Sequence, residues 1–339
     1  MMMNKKVIVY IGNDFSKRSN YNSTMNTLSG LFETEGYQVV KSSGKKNKFL
    51  RILAMCSTVL KYSRTADYIL IDTFSTLNFY YALVVSQLAR ALKIRYIPIL
   101  HGGNLPKRLD NNRALCKAIF KNSYKNIAPS MYLKTHFEKK HYKTEYVPNV
   151  ITIKDYFYKE RKVITPNLLW VRAFDKIYNP QMAIEVLYHV KKLYPEAKLC
   201  MVGPEKDQSR KLCENLISMY ELIDAVTFTG LLRKEEWHHL SENYDVFINT
   251  TNIDNTPVSV IEAMALGLPV ISTNIGGLPF LIEDGVDGIL VNCNDAEQMS
   301  QEISKLIEET SINMARKARK KVEHFDWTYV AEKWKSILS

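Results

Sequence analysis

Short apolar runs alternate with longer stretches in which apolar and polar residues recur at helical spacing. In the first half the runs fall at 5–12, 37–41, 67–72 and 94–100, and each reads as a buried strand. Helical patterns occupy 26–35, 77–92 and 114–121, with Gly36 closing the first. The second half repeats the alternation. Strands are expected at 167–171, 197–202, 225–229, 246–248, 270–272 and 289–291. Helices are expected at 180–192, 206–220, 235–243, 258–266 and from Asp295 to about 309. Apolar strands separated by helices predict an α/β protein with parallel sheets covered on both faces. A chain of 339 residues is too long for one ordinary core, and Pro148-Asn149 marks a turn. The expected domains are 1–150 and 151–339.

The stretch 245–277 carries the strongest pattern. Its helix is apolar nearly all round, and Glu262 is its only charge. Such a helix is buried, and a carboxylate inside it is costly unless paired or hydrogen-bonded. A polar loop, 249–256, feeds the helix start. Thr256 reads as the N-cap and Pro257 as the first helical residue, followed by Val258. Free N–H groups and the helix dipole there favour an anion, phosphate above all. A phosphate at the helix start and a hydroxyl-rich group on Glu262 together outline a nucleotide diphosphate and its ribose. Pairing of Glu262 with a neighbouring Arg or Lys is the competing reading of the same residues.

Glu262-Ala263-Met264-Ala265 and Gly267-Leu268-Pro269-Val270 resemble the signature of the retaining family 4 glycosyltransferases. The signature also holds an earlier acid, which falls here at Asp254, with Asp in place of Glu. The resemblance implies a GT-B fold: two Rossmann-like domains facing across a cleft, the terminal helix at about 325–339 crossing back to the first. It implies that Arg172 and Lys176, on the loop after strand 167–171, hold the donor diphosphate. An Arg fork and a Lys point charge suit that task. It further implies that Leu231 meets the nucleotide base, that Gly12 lies near the diphosphate, and that His101 and Asp254 attend the sugar. His101-Gly102-Gly103 ends a strand, where open α/β sheets hold ligands. The implied reaction is glycosyl transfer with retention, from a UDP- or GDP-linked sugar to a glycan or lipid-linked acceptor, in cell-surface polysaccharide synthesis.

Composition narrows the classes further. No G-x-G-x-x-G follows the first strand, which argues against an NAD-dependent enzyme. Five widely spaced cysteines without a C-x-x-C indicate neither a zinc site nor a disulfide framework, and point to a reducing cytoplasm. Neither metal nor cofactor is expected. Residues 1–150 hold 24 Lys and Arg against 8 Asp and Glu; residues 151–339 hold 22 against 27. The basic half carries an amphipathic segment at 41–64, which fits an anionic membrane surface or a solvated face over the core. Aromatics are not set among these cations as in a nucleic-acid module, so no nucleic acid partner is expected. A sugar-nucleotide epimerase and an inactive sugar-nucleotide-binding protein are the alternatives to transfer.

Overall fold

The computed structural model describes residues 5–13, 23–309 and 312–339. The chain divides into two compact units, Met1–Val150 with Trp327–Ser339, and Ile151–Asp326.

Unit 1 contains a six-stranded parallel sheet: β1 (Val7–Ile11), β2 (Gln38–Ser42), β3 (Tyr68–Thr73), β4 (Arg95–Leu100), β5 (Asn126–Ala128) and β6 (Thr144–Tyr146). The order is β2-β1-β3-β4-β5-β6. Its central strands are apolar on both faces: Ile8, Val9, Tyr10, Ile69, Leu70 and Ile97 are fully buried. This is what a parallel sheet covered by helices requires. One layer includes the helices Lys48–Lys61 and Asn78–Ala91, with Met55, Val59, Phe79 and Val85 in the core. The other includes Thr24–Thr34 and the last helix, Trp327–Ile337, whose Trp334 meets Phe32 edge to face.

Unit 2 contains a second six-stranded parallel sheet: β7 (Asn167–Val171), β8 (Lys198–Val202), β9 (Val226–Gly230), β10 (Val246–Asn249), β11 (Val270–Thr273) and β12 (Ile289–Val291). The order, β12-β11-β10-β7-β8-β9, is the doubly wound one. The chain steps outward from β7 to β9, then returns to place β10 on the other side of β7. Such a reversal opens a crevice outside the carboxyl ends of the two central strands. In unit 1 the reversal lies between β1 and β3.

Several elements differ from the sequence expectation. The segment 114–121 is part of a helix pair, Leu105–Asn111 and Arg113–Phe120. Beyond β5, the Ser130 hydroxyl accepts from the Leu133 N–H and caps the helix Met131–Glu138. The N-cap of Val258–Ala265 is Pro257, one residue beyond Thr256, and no side chain caps it. Pro257 keeps an extended ψ of 121°, so the first helical turn starts at Val258. After β1, Gly12 and Asn13 are described, and Asp14 lies outside the described residues.

Candidate functional site

At the reversal in unit 2, two loops leave adjacent strands and join. Arg172 follows β7, and the loop 250–257 follows β10. The Arg172 Nη2 pairs with the Asp254 Oδ2, and the guanidinium lies 4.2 Å over the Tyr178 ring. The short 3-10 turn Lys176–Tyr178 docks on the β10 loop through its carbonyls. The Ile177 carbonyl accepts from the Asn252 N–H at 2.8 Å and from the Thr251 hydroxyl at 3.2 Å. The Tyr178 carbonyl accepts from the Thr250 hydroxyl, which in turn accepts from the buried Trp170 Nε1 at 3.0 Å. Arg172, Lys176 and Asp254 thus stand on interlocked loops; Thr256 and Pro257 follow on the second, and Val258 opens the helix. Lys176 points to solvent, and its N–H donates to Asp207.

Glycines fix this arrangement from behind. A side chain at Gly203, after β8, would meet the Arg172 carbonyl. At Gly276 and Gly277, after β11, it would meet the carbonyls of Asp254 and Asn255. Gly276 also holds a φ of +57°, which glycine adopts without penalty.

Glu262 lies in the first turns of Val258–Ala265 and is 7% exposed. Its Oε1 accepts from the Tyr156 hydroxyl at 2.8 Å and pairs with the Lys234 Nζ at 3.1 Å. Burial pushes its pKa up, while Lys234 and the Tyr156 hydrogen bond oppose the shift. Lys234 lies 4.6 Å above the Tyr156 ring, and the buried His238 places Nε2 4.0 Å from the same Oε1. Desolvation, with Lys234 adding repulsion, pushes His238 down to about 3, so it is neutral. Its hydrogen bond runs to the Asp155 backbone, leaving Nε2 buried without a hydrogen-bond partner. The Ser259 Oγ is likewise buried and unpaired. Leu231, 57% exposed, sits three residues before Lys234 on the loop after β9.

In unit 1, His101 and Gly12 meet around a residue the sequence reading passed over. The His101 Nε2 lies 2.7 Å from the Asp72 Oδ1, and the Tyr10 hydroxyl donates to the same oxygen at 3.0 Å. Phe74 stacks on the imidazole, centroids 5.1 Å apart. Burial, reinforced by the Asp72 charge, pushes the Tyr10 hydroxyl well above its usual pKa. Gly12 is explained locally: a Cβ there would run into the Asp72 carboxylate. A small cavity at the carboxyl ends of β1 and β3 is lined by Gly12, Asp72, Phe74, Met55 and Tyr81.

The family model for glycosyl transferases group 1 matches residues 155–325, half of the chain and nearly all of unit 2. This chain belongs to the group 1 glycosyltransferase family. The group 1 chain is 29% identical over 154 residues to the sulfoquinovosyl transferase of Arabidopsis thaliana, covering 43% of itself and 29% of that protein. It is 33% identical over 132 residues to WcaL of Escherichia coli (strain K12), a protein named for colanic acid biosynthesis, covering 36% of itself and 32% of WcaL. It therefore spans about a third of the length of these curated relatives. Among solved structures, a sucrose-phosphate synthase from Thermosynechococcus elongatus superposes with a TM-score of 0.79, at 17% identity and 98% coverage of each chain. HepE of Anabaena, solved with UDP and glucose, gives 0.78 at 18% identity, covering 98% of this chain and 99% of HepE. These likenesses show the GT-B fold.

Four polar residues of the group 1 chain, besides Tyr10, escaped the sequence reading. Asp72 meets His101, and Tyr156, Lys234 and His238 meet Glu262, only through folding, and each lies far along the chain from its partner. One signal for Asp72 was present: it closes the apolar run 68–72 at the carboxyl end of its strand, where ligands gather.

Proposed function

We propose that the protein is a retaining glycosyltransferase of the family 4 type. It moves a sugar from a UDP- or GDP-linked donor to a hydroxyl of a glycan or lipid-linked acceptor, in cell-surface polysaccharide synthesis. The observation that carries the reading is the meeting of Arg172, the loop 250–257 and the start of Val258–Ala265 at the strand reversal of unit 2, beside the buried Glu262. A diphosphate there displaces Asp254 from Arg172 and lies against the helix N–H groups. Glu262, held at Oε1 by Tyr156 and Lys234, offers Oε2 to the ribose hydroxyls. The group released in transfer is a nucleoside diphosphate, so negative charge grows on its bridging oxygen as the sugar leaves. Arg172 and the helix dipole are a fixed cation and dipole at that charge, Lys176 adds an exposed cation on the adjoining turn, and no metal or cofactor enters the scheme. Freed from Arg172, Asp254 is available to the sugar.

Two comparisons support the donor class. HepE was solved with UDP and glucose, and a pneumococcal O-GlcNAc transferase with UDP and GlcNAc. The acceptor is proposed on the family's grounds and on the basic surface of unit 1, which suits the inner face of an anionic membrane. No helix among the described residues is long and apolar enough to cross a membrane.

Titration calorimetry with UDP, GDP and their sugars, followed by product analysis, tests the reading. The expected result is nucleotide binding that Glu262→Gln weakens about tenfold or more, the loss of one charge-assisted hydrogen bond. Binding unchanged in that variant removes Glu262 from the ribose. An isomerised sugar nucleotide formed without acceptor overturns transfer in favour of epimerisation.

A further inference from the structure

We propose that unit 1 docks on an anionic lipid bilayer through the outward face of the helix Lys48–Lys61, extended by the helix Asn78–Ala91. The proposal deepens the reading above and rests on it for its purpose: it names the surface that brings the protein to a lipid-linked acceptor.

The helix Lys48–Lys61 has two apolar faces where a surface helix needs one. Met55 and Val59 are buried in the unit 1 core, with Ile52 packed against it. At about 100° per residue, Phe49, Leu53 and Leu60 fall within about 40° of one another on a different face, with Leu50 at its edge. All four are open to solvent: Phe49 is 68% exposed, Leu50 53%, Leu60 52% and Leu53 49%. The helix Asn78–Ala91 lies alongside, and its Tyr81 hydroxyl donates to the Lys48 carbonyl. Its own outward row follows the i, i+3, i+7 rule, with Leu77, Tyr80 and Val84 exposed.

The rim of this surface is of one sign. From 36 to 66 the chain holds seven Lys and Arg and no Asp or Glu. Lys45, Lys46 and Lys48 stand at the start of the helix; Lys61 and Arg64 stand at its end, and all five are exposed. Large apolar side chains ringed by lysines match the boundary of a bilayer, where acyl chains take the first and lipid phosphates the second. A second copy of this chain is a poor occupant, because a two-fold contact would set one cationic rim against its twin. Nucleic acid would answer the cations and leave the apolar face unused.

The inner side of the same two helices supplies Met55 and Tyr81 to the cavity beside Gly12 and Asp72. Docking through the outer side would therefore hold that cavity close to the headgroups.

Flotation with vesicles of phosphatidylcholine alone, and of phosphatidylcholine mixed with phosphatidylglycerol, tests the proposal. At low salt the full chain should bind the mixed vesicles at least about tenfold better, given roughly 1 kcal/mol per basic residue at an anionic surface. The double variant Phe49→Glu, Leu53→Glu changes only exposed positions. It should melt as the parent does, keep nucleotide binding by calorimetry, keep turnover on a water-soluble acceptor, and lose flotation. Absence of flotation by the parent, or equal flotation by the variant, overturns docking while leaving the donor site intact. A dimer in sedimentation velocity that the variant dissolves assigns the face to a second copy and also overturns it.

Discussion

The two sheets have the same strand count and the same parallel sense, yet their reversal points are furnished differently. In unit 2 the polar groups stand beyond the strands: Arg172 pairs with Asp254 between the loops after β7 and β10, and Lys234, which opens the helix Lys234–Leu240, pairs with Glu262 inside Val258–Ala265. At β1 and β3 in unit 1 they stand on the strands or at a strand end, where Asp72 joins Tyr10 and His101. The first arrangement has a cation, Arg172, whose acidic partner a diphosphate can replace. The second has one carboxylate already serving two donors, which fixes an imidazole rather than grips an anion. One architecture thus supports two chemistries, because the crevice is set by strand order and its contents by loop residues.

If that division is right, the unit 2 cations dominate turnover. Arg172→Ala should lower kcat/KM by roughly 100- to 1,000-fold, the range for removing one preorganised charge-stabilising group. Steady-state kinetics with donor varied measures it, and a rate near wild type would move the phosphate site elsewhere. In unit 1 a smaller effect is expected. Asp72→Asn keeps an acceptor for Tyr10 and His101 but removes the charge, and should cut turnover about tenfold with the melting temperature little changed. Turnover at the parent's level would make the Asp72–His101 pair purely structural.

The smallest effect concerns pH. His238 is held neutral, with its folded pKa at about 3 against an ordinary 6.5. The unfolded chain takes up a proton below 6.5 that the folded chain refuses, so this contribution is full above 6.5 and is lost as pH falls toward 3. Glu262 works the other way: burial raises its pKa, so its share weakens as pH rises above 4.5. Urea denaturation at pH 7 and pH 5 should show His238→Asn losing less stability on acidification than the parent. The difference should approach about 1.4 kcal/mol per pH unit. Identical slopes would place His238 in contact with solvent.

What could be read from the sequence divides along the same line as the two sites. The helix Val258–Ala265, its buried acid and the Gly267 stop lie in one contiguous stretch, so pattern alone exposed them. Arg172 and Lys176 follow one strand and share one loop, and the family resemblance singled them out. Asp72 and His101 lie 29 residues apart on separate strands, and only the pairing of β3 with β4 brings them together. Lys234 and Tyr156 reach Glu262 from β9's loop and from the segment before β7, distances along the chain that no local pattern reports. Thr256 failed as a cap for a local reason: the chain stays extended through Pro257. The outward stripe on Lys48–Lys61 was visible as amphipathicity, but which face was buried had to come from packing.

Gly276 and Gly277 press their bare α-carbons onto the carbonyls of Asp254 and Asn255. Neither glycine need ever touch a substrate, yet a single methyl at either would shove the acid off station. Anyone grafting a new donor preference onto this scaffold must therefore transplant 254–255 and 276–277 as a pair, since the second segment is the mould in which the first is cast.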